Sequence, residues 1–228
     1  MTQDTFFPYH SIGLRANPFR ALTREEWEDI AFIPPALKQA YQSGECVQIM
    51  GEKGMGKTSC LLALKQDAIQ GGRQVAYEYL PEGQQRFSLT LDTLDVGLLD
   101  EAQRLTRREI RRLLRMVQHE DAQVILGTHT DLKSAFQQRK LPLHTHTLEV
   151  DREGTRRMID CRLGYFALDR CPPHQVAGDA ITYLVDDFPT YRAMAGFLYD
   201  VFLGLPAPGM IDRVALETVK PNLSVPPA

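Results

Sequence analysis

The feature that most constrains the fold is residues 51–58, which match the pattern G-x-x-x-x-G-K-[ST] at every fixed position. The apolar run Cys46 to Met50 precedes this stretch, and a segment of helical period, Thr58 to Gln70, follows it. A strand before and a helix after are the context in which the pattern forms a phosphate-binding loop. The sequence therefore predicts a strand, a glycine loop and a helix in direct succession.

The residue types of this loop suit a nucleoside triphosphate. Three glycines let the backbone turn its N–H groups toward phosphate oxygens, and the helix N-terminus adds a partial positive charge. Lys57 is predicted to reach the β- and γ-phosphates, and the Thr58 hydroxyl is predicted to bind Mg²⁺. The predicted nucleotide-binding residues are Gly51, Glu52, Lys53, Gly54, Met55, Gly56, Lys57, Thr58 and Ser59.

A second motif, Leu98-Leu99-Asp100-Glu101, concerns hydrolysis. An apolar strand with this ending delivers Asp100 to the metal and Glu101 to a position from which a base polarises the attacking water. The alternative interpretation is a pair of acidic residues that cap a helix. Because both carboxylates are present, hydrolysis is favoured over binding alone.

The next apolar strand ends in three polar residues at 128–130. A polar side chain at this end of a strand is placed to orient water between Glu101 and the γ-phosphate. Thr128 is the first candidate for that role and His129 the second. An ordinary polar strand terminus is the alternative.

Apolar runs of strand length recur along the first two thirds of the chain, separated by segments of helical period. The runs are Cys46 to Met50, Val75 to Leu80, Leu94 to Leu99, Val124 to Leu126 and Thr145 to Val150. Continuous apolar strands that alternate with helices predict an α/β fold, here a three-layer αβα sandwich with a parallel sheet. The connection from Leu80 to Thr93 has only 14 residues, too few for a fully packed helix.

The strand pattern ends near residue 150, where helical stretches begin. We expect a sheet domain over 1–150, with an N-terminal extension over 1–44, followed by a helical lid over 151–204. Three helices are predicted in the lid, at 152–168, 174–187 and 190–203. The segment 205–228 is rich in proline and is expected to be an extended tail.

Composition excludes several classes of function. The net charge of -3 argues against coating nucleic acid or an anionic membrane through bulk charge. No apolar run approaches the ~18 residues of a membrane span, and the N-terminus has no secretory pattern. Four cysteines without CxxC spacing give no zinc pattern. These observations predict a reduced cytoplasmic protein that does not insert into membranes.

Together the motifs resemble those of the AAA+ P-loop ATPases, and more narrowly the bacterial group of ExeA-type secretion ATPases and TniB- and TnsC-type transposition ATPases. "GEKGMGKTS" and "LLDEAQRL" are similar to the Walker A and Walker B motifs of this group, and "GLRANPF" at residues 13–19 resembles its N-terminal signature. "MIDCRLGYF" resembles its first lid helix. The resemblance implies a P-loop NTPase sandwich followed by a small all-helical AAA+ lid, with ATP and Mg²⁺ as cofactors. Two departures are the short connection after Leu80 and the lack of an appended winged helix after the lid.

The same resemblance implies roles for two arginines. "FQQRKLPLHTHTLEV" resembles the segment in which the group is understood to place an arginine finger, here Arg139. "DDFPTYRAM" resembles the lid segment that carries the sensor-2 arginine, which maps to Arg192. A finger that reaches a neighbour's γ-phosphate makes hydrolysis conditional on a homo-oligomer. The alternative for each is an ordinary surface arginine.

The segment "RLTRREIRRLLRMVQ" holds six arginines. Its apolar residues recur at helical spacing and mark a buried stripe, and the arginines on the opposite side are Arg104, Arg108, Arg111 and Arg115. Such a face suits a DNA backbone or the acidic groups of a neighbouring subunit, with a solvated helix surface as the alternative. Thr106 and Glu109 are placed to form a capping box at the start of this helix.

Three roles for the ATPase remain open. The first is an oligomeric ATPase in DNA transposition or DNA remodelling, which the arginine helix favours. The second is an ATPase that energises a secretion or envelope assembly with an unidentified client protein. The third is a nucleotide-gated interaction switch with little turnover, against which Glu101 argues.

Overall fold

The computed structural model describes residues 8–120, 122–169 and 171–219, which divide into two compact units. One unit consists of residues 24–149. The other combines residues 8–23 with residues 150–219.

The unit of residues 24–149 contains a five-stranded parallel sheet with the strand order β2-β3-β4-β1-β5. Its elements, in chain order, are α1 Arg24–Ile30, α2 Pro35–Gln42, β1 Cys46–Met50, α3 Lys57–Gln70, β2 Val75–Tyr79, β3 Val96–Asp100, α4 Arg107–Glu120, β4 Gln123–Thr128, α5 Lys133–Gln138 and β5 Leu143–Thr147. Helices cover both faces of the sheet, as the continuous apolar strands predict.

The strand that precedes the glycine loop lies inside the sheet. β1 pairs with β4 on one side, where Val47 is opposite Ile125, and with β5 on the other, where Ile49 is opposite His146. Both Val47 and Ile49 are fully buried, in the apolar cluster that includes α2 and α3. The carboxyl ends of all five parallel strands therefore meet at one edge of the sheet.

A buried glutamine anchors the connection that follows β4. Gln48 donates from Nε2 to Asp131 Oδ1 at 2.6 Å and to Thr145 Oγ1 at 2.7 Å, and its Oε1 accepts from the Leu132 N–H at 2.9 Å. Asp131 also accepts from the Lys133 N–H, which begins α5. The Gln48 hydrogen bond holds the pKa of Asp131 below its usual range. The chain between β4 and α5 is thus fixed to the central strand.

The connection between β2 and β3 crosses the sheet without a helix, as its length predicts. Phe87, Leu89 and Leu91 are buried and fill part of the core on the face that α4 covers. The Glu78 carboxylate accepts hydrogen bonds from the backbone N–H groups of Ser88 and Leu89, at 2.8 to 2.9 Å. These contacts replace the packing that a crossover helix otherwise provides.

The edge strand β5 differs from its expected range of 145–150. It spans Leu143–Thr147, because pairing with β1 starts opposite Cys46 and ends opposite Met50. Its side chains are partly exposed, so its polar residues His144 and His146 belong to the strand although they interrupt the apolar pattern.

The second unit contains helices and a small two-stranded parallel sheet, which the sequence pattern did not predict. Its elements are α6 Arg152–Phe166, β6 His174–Val176, α7 Gly178–Asp187, α8 Tyr191–Leu203, β7 Gly209–Ile211 and α9 Arg213–Val219. Residues 209–219, expected in an extended tail, form β7 and α9 because Ile211 and Leu216 are buried. Residues 220–228 of that tail lie outside the described residues.

Residues 8–23 pack within this second unit, whereas the sequence analysis assigned them to an extension of the sheet domain. The Arg15 N–H donates to the Phe166 carbonyl at 2.8 Å, and the Leu168 N–H donates to the Gly13 carbonyl at 3.0 Å. The buried Arg162 side chain donates to the Pro18 carbonyl at 2.8 Å. The "GLRANPF" segment therefore packs in the second unit and stabilises it.

Candidate functional site

The glycine loop leads directly from β1 into α3. Gly54 and Gly56 have φ angles of 95° and 96°, a left-handed conformation that strains other residues. Gly56 precedes the first residue of α3, Lys57. The loop thus places successive backbone N–H groups at a helix N-terminus, the arrangement that binds phosphate.

The Lys57 ammonium lies inside the turn of this loop. Its Nζ donates to the carbonyls of Gly51 at 2.7 Å and Glu52 at 3.1 Å, and it lies 3.3 Å from His129 Nε2. The residue is buried. A buried ammonium held by backbone carbonyls is a localised positive charge at the place where the motif predicts phosphates.

Asp100 ends β3 opposite the loop and is fully buried. Its Oδ2 accepts hydrogen bonds from the Thr58 hydroxyl at 2.6 Å and the Tyr77 hydroxyl at 3.1 Å, and its Oδ1 accepts from the Glu101 N–H at 3.0 Å. Burial raises the pKa of Asp100, and the two hydroxyl hydrogen bonds oppose that shift. Burial and the nearby Asp100 charge also raise the pKa of Tyr77, so its hydroxyl stays protonated and remains a donor.

Gly127 on β4 leaves the space that the Asp100 side chain occupies. A Cβ atom at this position would lie 2.7 Å from Asp100 Oδ1 and 2.9 Å from Leu61 Cδ1. Any other residue would therefore displace the carboxylate. Neither Tyr77 nor Gly127 was predicted from the sequence, because their roles depend on neighbouring strands rather than on a local motif.

Glu101 has a left-handed backbone, with φ at 61°, and its side chain is held from several sides. Its Oε2 accepts from Gln103 Nε2 at 2.8 Å and forms an ion pair with Arg104 at 3.0 Å. Its Oε1 lies 3.8 Å from His129 Nε2. Glu101, the candidate base, thus lies close to His129, which in turn lies close to Lys57, at the carboxyl edge of the sheet.

Arg104 belongs to this site and not to the basic helix face to which the sequence analysis assigned it. It lies in the 3-10 turn Ala102–Arg104, before α4 begins. Besides Glu101, its guanidinium contacts the Tyr79 hydroxyl at 3.3 Å and donates to the Leu80 carbonyl. The prediction from helical spacing that Arg104 lies on this helix was wrong, because the helix starts three residues later, at Arg107.

Of the two polar candidates at the end of β4, His129 lies between the loop and Glu101. The buried Thr128 hydroxyl donates to the Thr130 carbonyl at 2.9 Å and accepts from the Thr130 N–H at 3.0 Å. The Thr128 hydroxyl therefore stabilises the turn of residues 128–130. The contacts with Lys57 and Glu101 are those of His129.

The donor set at Thr58 and Asp100 suits a hard divalent cation such as Mg²⁺, which takes oxygen ligands. The buried Asp100 carboxylate makes no ion pair with any described residue. Residues 8–120, 122–169 and 171–219 contain no cluster of three or more His, Cys, Asp and Glu side chains that could hold a metal. A bound Mg²⁺ would thus be shared with phosphate oxygens and water, as this ion prefers.

The two arginines implied by the resemblance lie in different units. Arg139 follows the last residue of α5 and is half-buried, and its guanidinium makes no hydrogen bond or ion pair with the described residues. Arg192 is exposed in the first turn of α8, next to the N-cap Thr190.

The exposed side of α4 carries Arg107, Arg108, Arg111 and Arg115. The remaining arginine of the helix, Arg112, instead pairs with Glu109 at 2.9 Å and lies 3.8 Å from the centre of the Phe87 ring. The Thr106 hydroxyl accepts from the Glu109 N–H at 3.2 Å, so half of the expected capping box forms while the Glu109 carboxylate turns to Arg112.

Within the described residues, no helix combines the length and the hydropathy of a membrane span.

No protein-family model matches the sequence, and no curated protein matches it. Solved structures do match. The AMPPCP-bound DnaA of Aquifex aeolicus has 18% identity and a TM-score of 0.52, over 72% of this chain and 59% of that chain. RuvB of Thermotoga maritima has 16% identity and a TM-score of 0.56, over 84% of this chain and 67% of that chain. A DNA replication initiation factor has 18% identity and a TM-score of 0.53, over 81% and 66%.

DnaA and RuvB fit a P-loop NTPase fold. At identities below 20% such a likeness establishes the fold, and the chain spans 59% of the DnaA structure that it matches. Together with the parallel sheet order, it shows that this chain has the P-loop NTPase fold, and the predicted fold class is confirmed. The likeness does not single out the ExeA, TniB and TnsC group.

Proposed function

We propose that the chain is an AAA+ module that binds ATP and hydrolyses it with Mg²⁺. The observation that carries this proposal is the meeting of four side chains at one sheet edge. The Lys57 ammonium lies in the glycine loop, and the Thr58 hydroxyl lies 2.6 Å from Asp100 Oδ2. The Glu101 carboxylate lies 3.8 Å from His129, which itself lies 3.3 Å from the Lys57 ammonium. Binding alone requires only the loop and its lysine, whereas the adjoining acidic pair favours turnover.

The side chains divide the chemistry among them. The loop N–H groups and Lys57 bind the phosphates, and Thr58 and Asp100 hold the metal. Mg²⁺, when bound, neutralises the charge that develops on the phosphate oxygens. Glu101 accepts a proton from the attacking water, and His129, 3.8 Å from Glu101 and 3.3 Å from Lys57, orients that water.

We propose a homo-oligomer as the active form. Arg139, whose guanidinium has no partner among the described residues, acts as a finger on the neighbouring copy's γ-phosphate. Arg192 reads the γ-phosphate from the lid and couples the nucleotide state to lid position. Both roles rest on the family resemblance; the Arg192 side chain is exposed and that of Arg139 is half-buried.

The test of the nucleotide site is the Lys57→Ala variant. We expect it to abolish ATP binding, measured with a fluorescent nucleotide analogue, and Mg²⁺-dependent phosphate release. Lys133→Ala removes an exposed lysine of the same unit whose ammonium makes no hydrogen bond or ion pair with the described residues, and it should change neither. Micromolar ATP affinity in Lys57→Ala would contradict the proposal.

For the client we favour DNA, in transposition or DNA remodelling. The support is the exposed arginine face of α4, in particular Arg108, Arg111 and Arg115. DnaA, one of the structures with the same fold, is known bound to single-stranded DNA. Turnover stimulated by duplex DNA favours this role, while turnover that DNA leaves unchanged favours a secretion or envelope client. Tight ATP binding without turnover under any condition would favour the nucleotide-gated switch.

The DNA contact is measurable through its salt dependence. Each phosphate neutralised by an arginine contributes a slope of about 0.9 to the logarithm of the binding constant against the logarithm of salt concentration. We expect replacement of Arg108, Arg111 and Arg115 by Gln to lower that slope by about 2 to 3. The matched control replaces the exposed Arg86, Arg152 and Arg157 by Gln and should leave the slope unchanged. Equal losses in both variants would show that only bulk charge matters.

A further inference from the structure

Tyr77, in the middle of the edge strand β2, donates a hydrogen bond to the carboxylate of Asp100. The tyrosine side chain is half-buried, and the guanidinium of Arg24 lies 5.6 Å from the centre of its ring. No motif includes this residue. Its register in the sheet, opposite Leu98 and two residues before Asp100 along β3, brings it to the site.

The hydrogen bonds to Asp100 leave its carboxylate little freedom to rotate. Thr58 and Tyr77 both donate to Oδ2, the Glu101 N–H donates to Oδ1, and the backbone at Gly127 borders the same oxygen. Two of these contacts come from the site's own motifs. The Tyr77 hydroxyl is a side-chain donor from outside the motifs. It holds the plane of the Asp100 carboxylate from β2, the strand next to β3.

We infer that Tyr77 is a positioning residue for the metal-binding carboxylate of Asp100, an inference that rests on the proposed function. Groups that hydrogen-bond to a metal-binding side chain orient it, and their loss typically lowers metal affinity by about 10- to 100-fold. The Tyr77 hydroxyl donates to Asp100, so in the proposed site it acts on the metal through that carboxylate. The affinity for nucleotide in the absence of metal should therefore not depend on the Tyr77 hydroxyl.

A tyrosine that merely packs in the core behaves differently, and the chain contains one for comparison. Tyr41 is buried on α2, and its hydroxyl makes no hydrogen bond to the described residues. Tyr41→Phe thus removes a hydroxyl from the same unit without changing any contact at the site. It is the matched control for Tyr77→Phe, which keeps the ring and removes only the donor.

The experiment measures Mn²⁺ binding to the ADP complex by electron paramagnetic resonance, in the full chain. We expect Tyr77→Phe to weaken Mn²⁺ binding by about 10-fold, with ADP affinity in EDTA unchanged. Tyr41→Phe should change neither quantity. In an Asp100→Asn background, Tyr77→Phe should have no further effect on Mn²⁺ affinity, because the group that it positions is gone.

The outcomes separate this inference from the function on which it rests. Suppose that the wild-type chain binds ADP and Mn²⁺ and that Tyr77→Phe binds Mn²⁺ with the same affinity. This result would overturn the role of Tyr77 alone. A loss of Mn²⁺ affinity that persists in the Asp100→Asn background would also overturn it, since Tyr77 would then act elsewhere. Failure of the wild-type chain to bind ADP with or without metal would overturn the proposed function and this inference with it.

Discussion

Arg104 is joined to Glu101 by an ion pair of 3.0 Å across a single 3-10 turn. The same guanidinium reaches the Tyr79 hydroxyl and the Leu80 carbonyl, at the end of β2. One arginine therefore connects the candidate base to the start of the connection that crosses the sheet. Its neighbours along the helix that follows, Arg107 and Arg108, point to solvent.

This connection predicts that Arg104→Ala impairs turnover rather than DNA binding. We expect kcat for ATP to fall by about 10-fold, because Glu101 loses the cation that fixes its orientation, whereas ATP affinity stays the same. The salt slope of DNA binding should also stay the same. If Arg104→Ala has the kcat of the wild type, Arg104 does not belong to the site. The same follows if the variant lowers the salt slope of DNA binding as much as the loss of Arg108 does.

Glu101→Gln tests the base directly. The amide preserves the size of the side chain and removes its ability to accept a proton, so turnover should fall by at least about 100-fold. ATP should still bind and hold the chain in its assembled state, visible as an earlier elution in gel filtration with ATP than without it. Unchanged turnover would remove Glu101 from this role.

Mixing two inactive variants tests whether Arg139 acts on a neighbouring copy. Arg139→Ala keeps an intact loop, and Lys57→Ala keeps an intact Arg139. If the finger acts between copies, each variant alone should lose on the order of 10³-fold in turnover, and the mixture should recover part of it. No recovery at any ratio would count against the finger.

The folded state is expected to lose stability on mild acidification through His174. Its ring is buried, its Nε2 lies 3.1 Å from the Ile12 carbonyl, and its Nδ1 has no partner among the described residues. Burial lowers the pKa of His174 below its ordinary value of 6.5, and the bond to Ile12 opposes this only in part. Burial, with a smaller contribution from His144, lowers the pKa of His146 as well.

Because the unfolded chain takes up these protons at a higher pH than the folded chain, the stabilisation is fully present above pH 6.5 and is lost as pH falls through the folded-state pKa. Urea unfolding at pH 7.5 and pH 5.5 measures the loss. His174→Gln should flatten the dependence, whereas His119→Gln, at an exposed histidine, should not. Equal pH dependence in wild type and His174→Gln would exclude this origin.

Local patterns predicted the loop, the helix after it and the acidic pair, because each is determined by residues adjacent in sequence. Gly56 requires its positive φ, and Asp100 ends a run of buried strand residues. Residues placed by pairing between strands escaped prediction. Tyr77 and Gly127 reach Asp100 only through the register of β2 and β4 with β3.

The other errors have similar causes. Helical spacing alone placed Arg104 on α4, although a left-handed Glu101 starts a separate turn there. Prolines in the segment after residue 204 hid the strand β7 and the helix α9, which the buried Ile211 and Leu216 stabilise. In each case packing against distant parts of the chain outweighed the local signal.

The sheet order has a consequence for how this chain is made on the ribosome. β1 emerges first of the five strands, yet its two partners, β4 and β5, are the last to appear, and β5 ends at Thr147. The glycine loop therefore has no completed sheet to hold it until nearly all of residues 24–149 have been synthesised, and its pairing requires closure of long loops. A nascent chain that stops before residue 143 carries the whole loop motif but lacks β5, one of the two strands that pair with β1.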